Sequence, residues 1–391
     1  MTALAQMYDR WVCGANNGKV NGVVLLDLSA AFDLVDADIL VRKLKVYGLS
    51  EDFIDWVSSY LADRKQAVWI NHTFSDWLDV NVGVPQGSIL GPLLFIIFAN
   101  DLPHSVSCEL DSYADDSTIT STKETIVQLN SDINENCSSV ATWMQKNRLC
   151  LNIDKTHLMV IGTNQRLKRL SITDNLDMQM GNFSLTQSNS ENLLGIIVQA
   201  DLKWTNYDDE LKTELQGRLQ GLQIVRNIVN SMQIRKQVAE SLFMSILVYC
   251  IPVWGGCEKK DLHDLQVLQN VAAQHVLRLP RRTSRNRMYD ELEWMTVAQL
   301  VFYHTILSVY RIRKSGEPER LAAKFTHENF RGNLIVPNTR LSIVKNSFAF
   351  RGAYGWSSLP VSLRTVDKTD EFKKELRSYT LLNIPRFVSS I

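Results

Sequence analysis

Two adjacent aspartates, Asp115 and Asp116, constrain the fold of this chain more than any other feature of its sequence. The flanking segments, 108–112 and 117–120, are rich in residues that favour β-strands, so the pair is predicted to lie at the tip of a β-hairpin. Neighbouring carboxylates repel each other, and a divalent cation such as Mg²⁺ would relieve that repulsion. An ordinary surface turn would also account for the pair, because aspartate is common in turns.

Another aspartate follows an apolar strand near the amino terminus. Residues 22–28 (GVVLLDL) are typical of a central strand buried on both faces, and Asp27 lies near its end. A carboxylate in that position is costly unless it is paired or binds a metal ion. Further along, residues 83–88 (GVPQGS) predict a loop that leads into an apolar helix over 89–102. Such a loop can bind phosphate or can be purely structural.

The composition argues against several classes of protein. The 391 residues are 45% hydrophobic and 21% charged, as expected for a globular protein with two or more domains. The six cysteines form no CxxC pair, which argues against a disulfide framework and a zinc module. The longest apolar run, 89–99, is too short to span a bilayer, and residues 1–11 lack the apolar core of a signal peptide. We therefore expect an intracellular protein of the cytoplasm and nucleus, with no membrane partner.

Charge is divided unevenly along the chain, although the formal net charge is zero. Residues 1–200 contain 14 Lys and Arg against 23 Asp and Glu, a net charge of −9, whereas residues 201–391 contain 28 against 19, a net charge of +9. This division suits a protein that binds metal in one half and a polyanion in the other. Two solvated surfaces of opposite sign would give the same numbers.

The hydrophobic period becomes mainly helical beyond residue 200. Before that point, strands are predicted over 66–70, 77–82, 157–161 and 192–198. Helical spacing predicts α-helices over 36–47, 50–61, 123–147, 205–230, 234–250, 259–278, 294–314 and 369–382. The predicted domains are therefore 1–200, 201–315 and a mixed region over 316–391.

Five short motifs follow one another in the first half of the chain: Asp27 with Phe32, Pro-Gln-Gly at 85–87, Tyr-Ala-Asp-Asp at 113–116, Asn-Ile-Asp-Lys-Thr at 152–156 and Leu-Gly at 194–195. The ordered series resembles the reverse transcriptases of LINE-type (non-LTR, jockey-like) retrotransposons. Residues 249–255 and 265–270 are also similar to the thumb region of these elements. The resemblance implies an α+β fold, in which a right-hand polymerase palm with a split β-α-β sheet is followed by a helical thumb.

The resemblance also implies a reaction. An RNA-directed DNA polymerase extends a DNA primer with deoxynucleoside triphosphates on an RNA template, using two Mg²⁺ ions, for which Mn²⁺ can substitute. Asp27 and Asp115 match the principal metal ligands of the family, and Asp116 matches its third, supporting carboxylate. The backbone carbonyl of Leu28 matches a further ligand.

Other residues match the nucleotide site of the family. Phe32 matches the steric gate, a bulky ring that excludes a ribose 2′-hydroxyl, although an aromatic residue beside a strand is usually core. Gln86 and Gly87 match the loop that supports the incoming nucleotide and template. Tyr113 would lie beside the primer terminus, and Lys155 is placed to protonate the departing pyrophosphate. Tyr113 could equally serve packing, and Lys155 could be an ordinary surface lysine.

An arginine cluster in the second half is the predicted nucleic-acid-binding surface. Its members are Arg278, Arg281, Arg282, Arg285 and Arg287. A charge run is often only a solvated face. In a polymerase thumb it would bind the phosphates of a template–primer duplex.

The sequence departs from the family at its start. Only 26 residues precede Asp27, where the family has a fingers subdomain with basic residues that bind the triphosphate. We therefore expect the product of a 5′-truncated element that has a palm and a thumb, lacks most of the fingers and extends primers poorly. Two alternatives stay open, a non-catalytic nucleic-acid-binding remnant and a polymerase similar to group II intron maturases.

Overall fold

The computed structural model describes residues 1–173, 179–180, 183–280, 283–330, 332–336 and 339–383. Contacts divide the chain into two compact units, one of residues 19–189 and one of residues 1–18 together with 190–391. The first unit combines a sheet with helices, and the second is mainly helical.

Helices and strands are numbered in chain order. The α-helices among the described residues are α1 (Thr2–Asn16), α2 (Ala37–Val46), α3 (Glu51–Leu61), α4 (Leu90–Ala99), α5 (Ile126–Lys146), α6 (Asn164–Thr173), α7 (Thr205–Ile228), α8 (Met232–Ala239), α9 (Ser245–Val248), α10 (Ile251–Trp254), α11 (Lys259–Leu277), α12 (Arg285–Leu292), α13 (Val297–Ser315), α14 (Glu319–Ala322), α15 (Ser342–Lys345), α16 (Phe348–Ser357), α17 (Val361–Arg364) and α18 (Thr369–Leu382). The β-strands are β1 (Val20–Leu26), β2 (Leu28–Ser29), β3 (Arg64–Gln66), β4 (Trp69–Ile70), β5 (Thr73–Phe74), β6 (Leu78–Val80), β7 (Glu109–Tyr113), β8 (Asp116–Lys123), β9 (Cys150–Leu151), β10 (His157–Ile161), β11 (Gln179–Met180), β12 (Phe183–Ser184), β13 (Thr186–Ser188), β14 (Ser190–Leu193) and β15 (Ile196–Gln199).

The first unit is built around a five-stranded sheet with strand order β13-β10-β1-β8-β7. The central strand, β1, pairs antiparallel with β10 on one side and with β8 on the other. Every residue of β1 except Leu25 is buried, as the apolar run predicts for a central strand. Helix α5 approaches so closely that a Cβ atom on Gly22 would lie 2.2 Å from Cδ1 of Ile133, so a larger residue there would force the Ile133 side chain to move.

Most elements predicted from the sequence are confirmed. The helix ends agree within three residues, and the strand predicted over 157–161 matches β10. The helix predicted over 234–250 corresponds to α8 and α9, which are joined by one π-helical turn at Glu240–Met244. This agreement follows from the regular spacing of apolar residues on one face of each helix.

Two strand predictions are wrong in detail. The single strand predicted over 192–198 is a hairpin of β14 and β15, in which Leu194 and Gly195 form the turn with φ values of 52° and 76°. The strands predicted over 66–70 and 77–82 are broken into two short pairs, β3 with β6 and β4 with β5. In 192–198 the chain reverses where the apolar pattern alone indicates an extended strand, whereas the turn at Asn71 and His72 lies between the two predicted strands, as expected.

Helix α1 packs within the second unit, whereas the predicted domain 1–200 includes it. The buried Asp9 carboxylate accepts a hydrogen bond from the Ala349 amide at 3.1 Å and lies 3.7 Å from Lys324 Nζ.

Nearby, the fully buried Arg351 donates to the carbonyl of Pro252 and, through Nε, to that of Asn346 at 3.0 Å. Burial lowers the pKa of Arg351 to about 10. The division into palm, thumb and a third region stays a prediction.

No helix within the described ranges is both long and apolar enough to cross a membrane.

Candidate active site

Asp27 lies where the chain passes from one strand pairing to another. β1 ends at Leu26, and β2 begins one residue after Asp27, pairing with β9 rather than with the five-stranded sheet. The position predicted for Asp27, at the end of the central strand, is therefore confirmed. Its side chain is partly buried, so its charge is less well solvated than on an open surface.

The predicted hairpin around the aspartate pair is also confirmed. β7 and β8 pair antiparallel up to Tyr113 with Asp116, which leaves Ala114 and Asp115 as a two-residue turn. Ala114 has a φ of 55°, in the left-handed region that costs an L-residue about 1–2 kcal/mol. Backbone strain of this kind persists only where the surrounding structure imposes it, and it is common at functional sites.

Strand register brings Asp27 beside the hairpin tip. The last β1–β8 pair is Leu26 with Ser117, so the next antiparallel step sets Asp27 opposite Asp116. Desolvation, followed by the negative charges of Asp115 and Asp27, raises the pKa of the Asp116 carboxyl above its usual value. The three acids are thus near enough to influence one another.

A divalent cation is the partner that this set of oxygen donors suits, because hard cations prefer carboxylates and would offset their repulsion. In the parts of the chain that the structure describes, no group of three or more His, Cys, Asp or Glu side chains is arranged to hold a metal ion. The chemistry of the donors fits a cation. That Asp27, Leu28, Asp115 and Asp116 jointly bind metal stays a prediction.

The Asp27 backbone is held by the loop that carries Lys155. The Asp27 amide donates to Oγ1 of Thr156 at 3.3 Å, and the Asp27 carbonyl accepts from the Asn152 amide at 2.8 Å. Lys155 lies between these two residues on a 3₁₀ turn, Ile153–Lys155, with an exposed side chain. The loop therefore lies against the backbone of Asp27, and the proton-donor role of Lys155 stays a prediction.

Phe32 and the Pro-Gln-Gly loop meet at a second point of the first unit. Phe32 lies on the 3₁₀ helix Ala31–Leu34, and its ring packs against Phe95 of α4 with centroids 4.7 Å apart. Its carbonyl accepts from the Val84 amide at 2.8 Å, which ties the loop to this helix. The Phe32 ring is therefore packed against the core on one side. Its role as a steric gate against a ribose 2′-hydroxyl stays a prediction.

The side chain of Gln86 is fixed by an acid that the sequence did not single out. Its Nε2 donates to both carboxylate oxygens of Asp33, at 2.8 and 2.9 Å. Gly87, the next residue, has a φ of 78° and is exposed, with no atom within 4 Å of an added Cβ. Tyr113 is 63% exposed at the end of β7. These residues are accessible to a ligand, as their predicted roles require.

The predicted arginine cluster belongs to the second unit, and its members differ in what they contact. Arg278 donates through Nε to the carbonyl of Arg226 at 2.9 Å and through Nη2 to that of Val229 at 3.0 Å, so it caps the end of α7. Arg285 and Arg287 are exposed at the start of α12. Arg281 and Arg282 lie outside the described residues.

Comparison with known proteins extends these observations. Residues 4–198 match the family described as reverse transcriptase (RNA-dependent DNA polymerase). The protein named "Probable RNA-directed DNA polymerase from transposon BS", from Drosophila melanogaster, is 28% identical over 302 residues, which cover 74% of this chain and 33% of that protein. The RNA-directed DNA polymerase from mobile element jockey of Drosophila funebris is 25% identical and covers 63% of this chain and 27% of that protein. The chain thus spans about a third of the length of the curated relatives it matches.

A solved structure of telomerase from Candida tropicalis, in complex with a fragment of telomeric RNA, has 10% identity and a TM-score of 0.38, covering 96% of this chain and 52% of that one. That similarity is too low to support an argument. The family match covers all the strands of the central sheet, and the relatives are polymerases of mobile elements. The chain therefore belongs to the reverse transcriptase family, in the group found in LINE-type retrotransposons.

Proposed function

We propose that this chain is an RNA-directed DNA polymerase, which adds deoxynucleotides to a DNA primer on an RNA template. The observation that carries the proposal is the β1–β8 register, whose last pair, Leu26 with Ser117, leaves Asp27 and Asp116 as the next residues along the two chains. Residues 19–189 would form the palm of a right-hand polymerase, and the helices over 201–315 its thumb. The sheet with β1 at its centre supplies the rigid element that a catalytic site needs.

In this proposal Asp27 and Asp115 are the principal ligands of two Mg²⁺ ions, or of Mn²⁺, with Asp116 and the Leu28 carbonyl as further ligands. Bound metal would supply activation of the primer 3′-hydroxyl and stabilisation of charge on the phosphoryl oxygens. The raised pKa of Asp116, which burial causes first and the charges of Asp115 and Asp27 increase, supports the assignment, because a bound cation would offset both effects.

The remaining roles concern the nucleotide and the nucleic acid. Phe32 would exclude a ribose 2′-hydroxyl, Gln86 and Gly87 would support the nucleotide and template, and Tyr113 would contact the primer terminus. The exposure of Tyr113, Gln86 and Gly87 supports these contacts. Lys155 would protonate the pyrophosphate. We also propose that the protein works inside the cell, in the cytoplasm and nucleus.

Primer extension tests the proposal. On an RNA template, with Mg²⁺ and all four deoxynucleoside triphosphates, we expect slow extension that EDTA abolishes. Asp115→Asn should reduce the rate by at least about 10²–10³-fold, since removing one aimed electrostatic group costs that much. Asp79→Asn removes the same charge from an exposed residue that is 3.5 Å from Lys65 on β3, and it should leave the rate unchanged.

A second function is that of a non-catalytic remnant, which the exposed arginines at the start of α12 would serve. A non-catalytic remnant would bind the template–primer duplex and incorporate nothing at any Mg²⁺ or Mn²⁺ concentration. Binding without extension would therefore favour the remnant and refute the polymerase.

A further inference from the structure

The backbone of Asp27 lies outside the strand ladders, and one buried side chain holds it. Thr156, whose exposed fraction is 0%, accepts the Asp27 amide at Oγ1 and donates the same hydroxyl to the Asn152 carbonyl at 2.8 Å. The Asn152 amide in turn donates to the Asp27 carbonyl. Three hydrogen bonds thus close a ring that includes both backbone polar groups of Asp27.

The hydroxyl is needed because the backbone cannot make this contact. The β1–β10 ladder ends at Leu25 with His157, one residue after Thr156. The amide of Thr156 is already used, since it donates to the Ile153 carbonyl at 3.1 Å within the 3₁₀ turn. A hydroxyl can accept one hydrogen bond and donate another at the same time, so it continues the ladder where the main chain has turned away.

We propose that Thr156 is a positioning residue, whose hydroxyl sets the direction of the Asp27 carboxylate towards Asp116 and thereby the metal affinity of the site. The inference rests on the proposed function in one respect, that Asp27 binds metal. Residues that orient a ligand without touching the ion typically change metal affinity by about 10–100-fold. Thr156 is the buried polar group that contacts Asp27 in this way.

The test measures Mn²⁺ binding to the full chain by electron paramagnetic resonance, without nucleotide or primer. Thr156→Val keeps the shape and removes the hydroxyl, and it should weaken Mn²⁺ binding by about 10–100-fold. Thr156→Ser keeps the hydroxyl and should bind like the parent. Thr120→Val makes the same change at another buried threonine, on β8, which is 1% exposed and pairs with Val23 and Glu109. It should lower the thermal midpoint and leave Mn²⁺ affinity unchanged.

Parental Mn²⁺ affinity in Thr156→Val would overturn the inference while leaving the polymerase proposal intact. If circular dichroism shows that Thr156→Val is unfolded, Thr156→Ala replaces it. If neither variant folds, the hydroxyl serves folding and the inference is wrong. If the folded parent chain binds no Mn²⁺, and Asp115→Asn likewise shows no change in Mn²⁺ binding, the proposed function is overturned as well.

Discussion

The carboxyl group of Asp208, on α7 in the second unit, is fully buried, and neither of its oxygens has a hydrogen-bond donor among the described residues. Burial, and then the charge of Asp261, raises its pKa to about 8, although Lys212 acts in the opposite direction. Asp261 already accepts from Lys212 Nζ at 2.8 Å. A protonated Asp208 can donate to Asp261, which gives the buried oxygen its missing partner. We infer that Asp208 is mainly a neutral acid at pH 7.

A pH dependence follows from this residue. The folded pKa, about 8, lies above the unfolded value of about 3.9, so the stability that the bound proton contributes is lost as pH rises from about 4 through about 8. Asp208→Asn is neutral at every pH and avoids that loss. We expect its Tm, relative to the parent, to rise from pH 5 to pH 8 in scanning calorimetry. The free energy of unfolding should differ by up to a few kcal/mol at pH 8.

The matched control is Asp209→Asn, which changes the exposed neighbour of Asp208 on the same helix. Its Tm relative to the parent should show little dependence on pH. If the Tm difference for Asp208→Asn is also constant between pH 5 and pH 8, Asp208 is ionised in the folded state and the inference is wrong.

At the scale of residues, the sequence predicts where the three acids lie, at a strand end and at a hairpin tip, better than it predicts the groups that contact them. Asp27 and the aspartate pair stand out because a charge beside an apolar strand breaks a visible pattern. Thr156 contacts Asp27 across 129 positions, and Asp33 contacts Gln86 across 53. Such contacts depend on which segments meet in space, and local pattern carries no information about that.

At the scale of elements, the hairpin of β14 and β15 depends on its turn. Leu194 and Gly195 both have positive φ, as the two-residue turns that match the twist of paired strands require. The Tyr249 hydroxyl donates to the Leu194 carbonyl at 2.7 Å, and a Cβ on Gly195 would lie 3.4 Å from the Tyr249 ring. The turn is therefore fixed both by its own conformation and by a neighbouring side chain.

A pair of Gly→Ala substitutions tests the turn. Gly195→Ala should lower the free energy of unfolding by about 1–2 kcal/mol, because alanine is strained at this φ. Gly217→Ala, on an exposed face of α7 with no atom within 4 Å of the new Cβ, should raise it by about 0.5–1 kcal/mol. Urea denaturation measures both. Changes of the same sign would show that backbone conformation does not decide the outcome.

The motif at 265–270 joins neighbouring helices through the side chains of its glutamines. The buried Gln266 accepts from the Val297 amide at 2.9 Å and donates to the Tyr289 hydroxyl at 2.6 Å. Gln269 donates to the Met295 carbonyl at 2.9 Å. These bonds join α11 to α12 and to the start of α13. The glutamines of the motif thus serve packing between helices.

The sequence predicts helices well here because their apolar residues repeat with the helical period. It mistakes β14 and β15 for one strand because apolar residues continue on both sides of Gly195 and no Asn-Gly or Asp-Gly pair indicates the turn. The place of α1 in the second unit could not be predicted, since an amphipathic helix does not specify its distant partner.

At the scale of the whole molecule, charge is concentrated by region, with +9 over residues 201–391. Within the predicted arginine cluster, one arginine caps a helix and two others are available to bind phosphate. The guanidinium of Arg278 is exposed but already donates to carbonyl groups at the end of α7, whereas Arg285 and Arg287 lie exposed at the start of α12. Exposed arginines can exchange counterions for phosphates, so nucleic-acid binding by this region should depend on the latter two.

Salt titration of binding separates these roles. For an RNA–DNA hybrid followed by fluorescence anisotropy, Arg285→Gln with Arg287→Gln should weaken binding and reduce the slope of log K against log salt by up to about 0.9 per lost contact. Arg278→Gln is the control, since it should lower the Tm by removing the cap of α7 and leave the slope nearly unchanged. An unchanged slope in the double variant would mean that α12 does not contact phosphate.

The position of α1 has a consequence for the order of events during synthesis. Asp9 binds the Ala349 amide, 340 residues later, whereas all strands of the five-stranded sheet lie within residues 19–189. At about 5–20 residues per second, a ribosome needs about 20–70 s to travel from one partner to the other. The sheet can therefore be complete while the first helix, with its buried acid and tryptophan (Trp11), still lacks the helices that cover it. That interval is when a chaperone or an aggregating neighbour would meet the nascent chain.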